Sequence, residues 1–323
     1  MIERPHASTG AFIRYAWFTL GVTLLVIVWG AVVRATGSGA GCGSHWPLCN
    51  GVVVPIAPTA GTIIEFVHRL TSGGAMLLSL GMLLWARRLF AVGHPARRWA
   101  WISFVFMLIE AAIGAGIVLL RLVEDDTSAL RAGYVGGHLV NTLLLVGAML
   151  TTIWWARRPM PFTLRLRGAL SPGIRTLTIS LVAMLAVAAT GAVVALGDTL
   201  FPHASLAEGF AADFDPASHF LIRLRIWHPV LAAVVATYLL IAASSDGAFA
   251  GESQRHARRL VIAFVLIQTG LGIINLWLLA PLVLQMAHLF MSNLLWMAVV
   301  WGWMGARQAQ VGSTEYEVRS SAG

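Results

Sequence analysis

Four histidines lie within apolar stretches of the chain, where an isolated polar ring is costly and is usually functional. They are His68, His138, His228 and His288. Two facing imidazoles can ligate one heme iron through their neutral ring nitrogens. The four residues therefore predict two bis-histidine heme sites. Two alternatives stay open: hydrogen bonds from each histidine to a neighbouring helix, and a metal-ion path, although the latter would need carboxylates beside both pairs.

The residues three positions before two of these histidines carry opposite charges. Glu65 precedes His68 and Arg225 precedes His228, and positions three apart share a helix face. A carboxylate beside a heme is a candidate general base or stabiliser of a cationic transition state. An arginine there pairs more naturally with propionates. We therefore expect the first heme to react, with Glu65 as the catalytic residue, and the second to transfer electrons.

Structural roles would also explain these charges. A carboxylate is favourable near a helix N-terminus, and Arg69 and Arg225 fit either propionate or site pairing or snorkelling to the membrane interface. Glu110 lies in the middle of a predicted helix, where its counterpart in the second half is Gln268. We expect it to be neutral or hydrogen-bonded between helices, and not catalytic.

The two cysteines of the chain, Cys42 and Cys49, lie in one loop rich in glycine and proline. Seven positions apart, they can meet as a disulfide in an oxidising compartment. Such a bond would either hold the loop together or take part in redox chemistry. A zinc site would need more ligands than this pair and His45.

The composition predicts a membrane around these residues. Of the 323 residues 58% are hydrophobic and 11% are charged, and the mean hydropathy is +0.78, whereas soluble domains carry about 25% charged residues. A soluble core cannot absorb this excess of apolar side chains, but a bilayer can. The net charge of +8 comes from arginines. Most of them lie in short loops between apolar runs, which favours the membrane surface over nucleic acid as a partner.

Eight apolar runs are long enough to cross a bilayer as helices. The first is longer than the apolar part of a signal peptide, so we expect a retained helix. Proline at Ala280-Pro281 separates the last two. The polar segment 306–323 is predicted to be a disordered cytoplasmic tail. The runs cover about residues 11–33, 62–86, 98–120, 133–156, 174–197, 220–243, 258–279 and 282–304.

The distribution of arginine predicts the orientation of these helices. Most of the 22 arginines fall in the termini and in alternate loops, which are expected on the cytoplasmic side. Both termini then lie in the cytoplasm, and the cysteine loop lies outside.

Short motifs recur in the two halves of the chain and in the same order. Gly30-Ala31-Val32-Val33 recurs as Gly191-Ala192-Val193-Val194, and similar matches link helix three with seven and helix four with eight. We expect an all-α integral membrane protein whose eight helices form two pseudo-symmetric four-helix bundles. Residues 1–160 would form the N-terminal half and 161–305 the C-terminal half.

These motifs together resemble the heme A synthases, specifically the cysteine-bearing bacterial type, over nearly all of the chain. The second-half motifs are less specific than those of the first half. The motifs are Thr36-Gly37-Ser38-Gly39 with Cys42, Trp46-Pro47-Leu48-Cys49, Glu65-x-x-His68-Arg69, Gly137-His138 with Asn141, Trp227-His228-Pro229, and His288 with Asn293.

The resemblance implies a reaction in which the C8 methyl of heme O is oxidised in successive steps to a formyl group. It implies heme b as a fixed cofactor ligated by His228 and His288. The substrate heme would lie between His68 and His138 with Glu65 essential nearby. One departure is that the loop between helices five and six has no cysteine pair, although some members carry one.

The resemblance also places the chain in the bacterial cell (inner) membrane among lipid, with heme O synthase and terminal oxidase assembly factors as partners and no role for nucleic acid. A homo-oligomer stays open. The main alternative is a diheme b-type membrane electron carrier, against which the single Glu65 and the cysteine loop argue. A transporter built from parallel repeats would need helices broken at the midplane, which are not evident.

Overall fold

The computed structural model describes residues 6–158, 171–245, 247–249 and 254–321, without the side chains of 6–7 and 311–321. Within this part of the chain the structure is α-helical apart from a short 3-10 turn and an isolated bridge between Cys49 and Val52. The helices are α1 (His6–Ala35), α2 (Ala60–Leu89), α3 (Pro95–Leu119), α4 (Ala129–Ala156), α5 (Pro172–Leu200), α6 (Leu206–Phe214), α7 (Phe220–Arg223), α8 (Trp227–Ser244), α9 (Arg255–Trp277) and α10 (Leu282–Ser321).

Seven segments of the described chain are long and apolar enough to cross a membrane, which confirms a multi-span membrane protein. They correspond to seven of the eight predicted runs. The remaining run is α2, which has 30 residues but carries Glu65 and Arg69 near its start and two arginines near its end. An eighth span at α2 stays a prediction. The seven are Ser8–Ala35, Pro95–Leu119, Ala129–Ala156, Pro172–Leu200, Phe220–Ser244, Arg255–Trp277 and Leu282–Gln310.

The starts of several helices are fixed by side chains that cap free backbone N–H groups. The Thr59 hydroxyl accepts from the N–H of Thr62 at the start of α2, and Ser128 and Ser171 do the same for α4 and α5. At the start of α3, Nδ1 of His94 accepts from the N–H of Ala96 at 3.1 Å. Burial lowers the pKa of His94, which keeps this nitrogen available as an acceptor.

The end of the chain differs from the expected disordered tail over residues 306–323. The backbone of α10 continues as a helix through Ser321. Once a long helix exists, each further residue adds a hydrogen bond at little cost. The segment Arg307–Gln310 contains only good helix formers, so the helix has no reason to stop where the apolar run ends.

The packing of the helices repeats between the two halves. In the first half α2 and α4 both contact α1 and α3, and in the second half α8 and α10 both contact α5 and α9. Between the halves, α1 and α4 contact α5 and α10. Helix α4 is the most enclosed, since 83% of its most apolar stretch is buried against 11% for α9. The arrangement as two separate pseudo-symmetric bundles stays a prediction.

Candidate functional site

Each of the four histidine rings lies against a glycine of a neighbouring helix. A Cβ atom added at Gly30 would lie 2.9 Å from Cε1 of His68, and one added at Gly191 would lie 2.8 Å from Cε1 of His228. No real side chain fits at these distances, so the glycines let the helix backbone approach the rings. A Cβ at Gly272 would lie 3.1 Å from Cε1 of His288, whereas one at Gly114 would lie at an ordinary contact distance of 3.9 Å from Cε1 of His138. The four contacts are Gly30 with His68, Gly114 with His138, Gly191 with His228, and Gly272 with His288.

In the second half, the rings of His228 and His288 face each other, and the distance between them would allow both to bind one iron. The ring centres of His228 and His288 are 6.4 Å apart, with an angle of 81° between their planes. Two imidazoles that ligate one metal ion from opposite sides, each nitrogen at about 2 Å, have ring centres roughly 6–7 Å apart. The pair thus has the geometry that bis-histidine ligation of heme requires.

Hydrogen bonds around this pair indicate which nitrogen of each ring carries the lone pair. Nδ1 of His228 lies 3.2 Å from the carbonyl oxygen of Val187, so its N–H donates to that oxygen and the lone pair is on Nε2. A backbone carbonyl is a common partner for a metal-ligating histidine. The amide nitrogen of Gln268 lies 3.1 Å from Nε2 of His288, so the lone pair of that nitrogen accepts the Gln268 N–H and would bind iron only once this hydrogen bond is broken.

The first-half pair differs by a carboxylate that the sequence analysis did not assign to the site. Nε2 of His138 lies 3.6 Å from Oε1 of Glu110. The same carboxylate accepts hydrogen bonds from Nδ2 of Asn141 and Oγ1 of Thr142, both at 2.5 Å. The sequence offered one signal for this contact, namely the match of Glu110 with Gln268 in the repeat. In the structure both residues lie beside a histidine, His138 for Glu110 and His288 for Gln268.

Glu65 is buried with 3% exposure and connects α2 to the cysteine loop. Its Oε2 accepts the backbone N–H of Cys42 at 2.7 Å, and its Oε1 pairs with the guanidinium of Arg69. That guanidinium also donates to the carbonyl oxygens of Leu48, at 2.6 Å, and His45. The Glu65–Arg69 pair thus has a structural role, and the catalytic role of Glu65 stays a prediction.

The loop held by this pair contains the predicted disulfide between Cys42 and Cys49, whose Cα atoms are 4.3 Å apart. Beneath the loop lies a cavity of about 330 Å³ bounded by residues such as Ser38, Gly41 and Gly61. The four histidines do not line this cavity. Its residues come from the cysteine loop, from the first turns of α2 and, with Glu124, from the loop between α3 and α4.

Arg225 has partners of its own in the second half. It donates to Oδ1 of Asp213 at 2.9 Å and to Oδ1 of Asp198 at 3.3 Å, and it lies 2.7 Å from Nε2 of His203. It therefore joins the turn between α7 and α8 to the end of α5 and to α6. Glu65 and Arg225, which have opposite charges, thus occupy matching positions, and each binds the loop that follows the first long helix of its half. These contacts favour site pairing, and pairing with propionates stays a prediction.

A metal-ion site built only from side chains is not favoured by the described residues. Among them, no group of three or more histidine, cysteine, aspartate or glutamate residues is placed to hold an ion. The zinc alternative for the cysteine loop is not supported either, since both cysteines are in the disulfide. The spacing of His228 and His288 instead fits a ligand that brings its own equatorial nitrogens, as heme does.

The fold and the site define a multi-span membrane protein with four partly buried histidines, each against a glycine of a neighbouring helix, of which His228 and His288 face each other. The chain belongs to the COX15-CtaA family, described as cytochrome oxidase assembly protein, which it matches over residues 13–300. This is the family of the heme A synthases, so the family expected from the motifs is confirmed.

Individual relatives share different parts of the chain. It is 43% identical over 295 residues to a protein of Thermus thermophilus named protoheme IX farnesyltransferase, covering 88% of this chain and 47% of the relative. It is 38% identical over 136 residues to a heme A synthase of an Exiguobacterium species, covering 41% and 43%. A heme A synthase of Geobacillus kaustophilus is 46% identical over 108 residues, covering 32% and 33%. The chain spans about half the length, or less, of these relatives.

Proposed function

We propose that this chain is a heme A synthase, which oxidises the C8 methyl of heme O to a formyl group in successive steps. The observation that carries the proposal is the two glycine-lined histidine pairs, alike in packing and different in charge, in a member of the COX15-CtaA family. A carrier that only passes electrons between two identical hemes would need no difference in charge between their sites. An enzyme that oxidises one heme with the help of another would need it.

The second half supplies the fixed cofactor site. His228 and His288 hold heme b, whose iron provides one-electron chemistry when it is bound. The Val187 carbonyl holds the His228 ring in the tautomer that ligates through Nε2. This half lacks a counterpart of the Glu65 carboxylate, since Arg225 stands in its place.

The first half binds the substrate. His68 and His138 hold heme O, and Glu65 acts beside it as a general base or as an electrostatic stabiliser of developing positive charge. The backbone N–H of Cys42 and the guanidinium of Arg69 fix the direction of this carboxylate. Fixing the carboxylate before reaction reduces the reorganisation that the reaction requires.

The supply of substrate requires an enzyme that farnesylates protoheme. The Thermus relatives bear the name of such an enzyme, and this chain spans 47% of their length. We propose heme O synthase as a partner of this chain, and terminal oxidase assembly factors as recipients of its product. We place both termini in the cytoplasm and the disulfide loop outside.

The test is expression with heme O synthase, followed by extraction and identification of the hemes. We expect wild-type chain to give heme A or its hydroxylated intermediate. The variant Glu65→Gln should keep bound heme, because glutamine still offers an oxygen to the Cys42 N–H, but it should give no product. Asp125→Asn, which changes an exposed carboxylate, is the matched control and should act like wild type.

Each other outcome has a defined meaning. Bound heme without any oxidised product from wild type would identify the diheme electron carrier instead. Normal product from Glu65→Gln would remove Glu65 from the chemistry. Loss of all heme from that variant would mean that its tie to the cysteine loop is the dominant role.

A further inference from the structure

Two isosteric residues occupy matching places beside the histidines of α4 and α10. Oε1 of Glu110 lies 3.6 Å from Nε2 of His138, and Nε2 of Gln268 lies 3.1 Å from Nε2 of His288. The two side chains have the same length and shape. They differ in charge, and that charge lies next to the nitrogen that faces the iron site.

The first half also carries donors that suit a carboxylate. Asn141 and Thr142 each donate to one oxygen of Glu110. The residue that matches Asn141 relative to the histidine of the second half is Met291, which has no amide to donate. In agreement, Oε1 of Gln268 is buried without a hydrogen-bond partner among the described residues. A site for a charged oxygen pair is therefore built in one half only.

We propose that Glu110 is a positioning residue that lowers the reduction potential of the first-half heme relative to the second-half heme. The proposal rests on the proposed function, because it needs a heme between His68 and His138. A negative charge close to the iron stabilises the ferric form, which carries one more positive charge than the ferrous form. The side chain of Glu110 is only 18% exposed, so water screens this interaction weakly.

The neutral Gln268 gives the second-half iron no such stabilisation. The two hemes then differ in potential through a pair of residues that leave the shapes of their sites alike. Second-shell groups and local charge are established means of tuning heme iron. The first-half heme is thereby favoured as the electron donor and the second-half heme as the electron acceptor in any transfer between the two.

The test is a spectroscopic redox titration of the purified full chain loaded with protoheme at both sites. Glu110→Gln should raise the midpoint potential of the first-half heme and leave the second unchanged. The double variant Gln268→Glu with Met291→Asn is the reciprocal change, because it adds the carboxylate together with an amide donor, and it should lower the midpoint of the second-half heme alone. Thr151→Ser, a change elsewhere in α4 that keeps the hydroxyl, should move neither potential.

The result separates this proposal from a purely structural role and from the proposed function. If Glu110 only clamps α3 to α4, Glu110→Gln will lower the unfolding temperature while both potentials stay at their wild-type values, and the proposal is then wrong. If wild-type chain binds no heme at the first-half site, the proposed function fails first. If both hemes are bound and neither variant changes either midpoint potential, this proposal is wrong and the proposed function is unaffected.

Discussion

The contact between an imidazole and a glycine is the smallest unit that the site repeats. A methyl group on Gly30 would approach Cε1 of His68 to 2.9 Å, whereas nothing lies within 4 Å of the Cβ position of Gly21 on the same helix. The ring of His68 cannot yield without leaving its place in the site. The residue opposite a ligand is therefore as restricted as the ligand itself.

The variant Gly30→Ala should displace the His68 ring and lower heme occupancy in the first half while the second half stays loaded. Overpacking of this kind costs about 1–3 kcal/mol of stability. Gly21→Ala, the control on α1, should keep full occupancy. Heme content and the visible spectrum of the purified chain measure both. Full first-half occupancy in Gly30→Ala would show that the ring is not fixed by this contact.

The sequence identified the four histidines because a polar ring in an apolar run is conspicuous by itself. It did not assign Glu110 to the site, since the contact with His138 joins different helices and depends on how α3 and α4 pack. It also did not show that Glu65 accepts the N–H of Cys42, because that bond depends on the path of a loop. Residue type was therefore readable from the sequence, and partners across helices were not.

At the scale of elements, the cysteine loop depends on close contact with the first turn of α2. A Cβ at Gly41 would lie 2.5 Å from both the carbonyl carbon and the carbonyl oxygen of Gly61. These are backbone atoms, which cannot turn aside as a side chain can. The adjacent Cys42 N–H reaches Glu65 only because the two glycines let the loop come this close.

We expect Gly41→Ala to push the loop away from α2 and to break the bond between Cys42 and Glu65. The disulfide should then be reduced faster by an added thiol, and product formation should fall. Gly73→Ala is the control on α2, since nothing lies within 4 Å of that position. It should be neutral or slightly stabilising, because alanine exceeds glycine in helix propensity by about 1 kcal/mol. Equal rates of disulfide reduction in both variants would contradict this account.

The elements themselves followed from apolar runs and from proline. The break predicted at Ala280-Pro281 lies between the end of α9 at Trp277 and the start of α10 at Leu282. The interruption between α7 and α8 was not predicted, because Phe220–Ser244 is apolar throughout its length apart from two arginines. One of these is Arg225, whose bonds to Asp198 and Asp213 lie in this turn. Tertiary contacts thus override the apolar pattern here.

At the scale of the molecule, one arginine joins the two halves. Nη1 of Arg34, at the end of α1, donates to the carbonyl oxygen of Ala195 at 2.5 Å and to Oγ1 of Thr199 at 2.6 Å. Nη2 donates to Oε1 of Gln285 at 2.8 Å. The separation of 161 positions between Arg34 and Ala195 is the offset of the repeat, so equivalent ends of α1 and α5 meet here.

This meeting point is asymmetric, because the repeat places alanine where the first half has arginine. The halves are thus held by a charged donor from one side and by neutral acceptors from the other. The predicted two-bundle arrangement requires such a joint between the halves. Its sequence signal was weak, since Arg34 looked like one more arginine at the end of an apolar run.

Arg34→Gln should loosen the joint between the halves, because the shorter neutral side chain cannot reach three acceptors on two helices. The Ala195 carbonyl keeps the Thr199 hydroxyl as a donor, but Oγ1 of Thr199 and Oε1 of Gln285 lose theirs at about 1–3 kcal/mol for each buried acceptor, so the unfolding temperature should fall. Arg223→Gln removes an exposed arginine and should leave that temperature unchanged. Thermal unfolding followed by heme absorbance measures both variants, and it reports whether the hemes leave together. If the joint is what couples the halves, Arg34→Gln will release its two hemes in separate steps, while a single step at the wild-type temperature would mean that the packing of α1 and α4 against α5 and α10 holds the halves together without it.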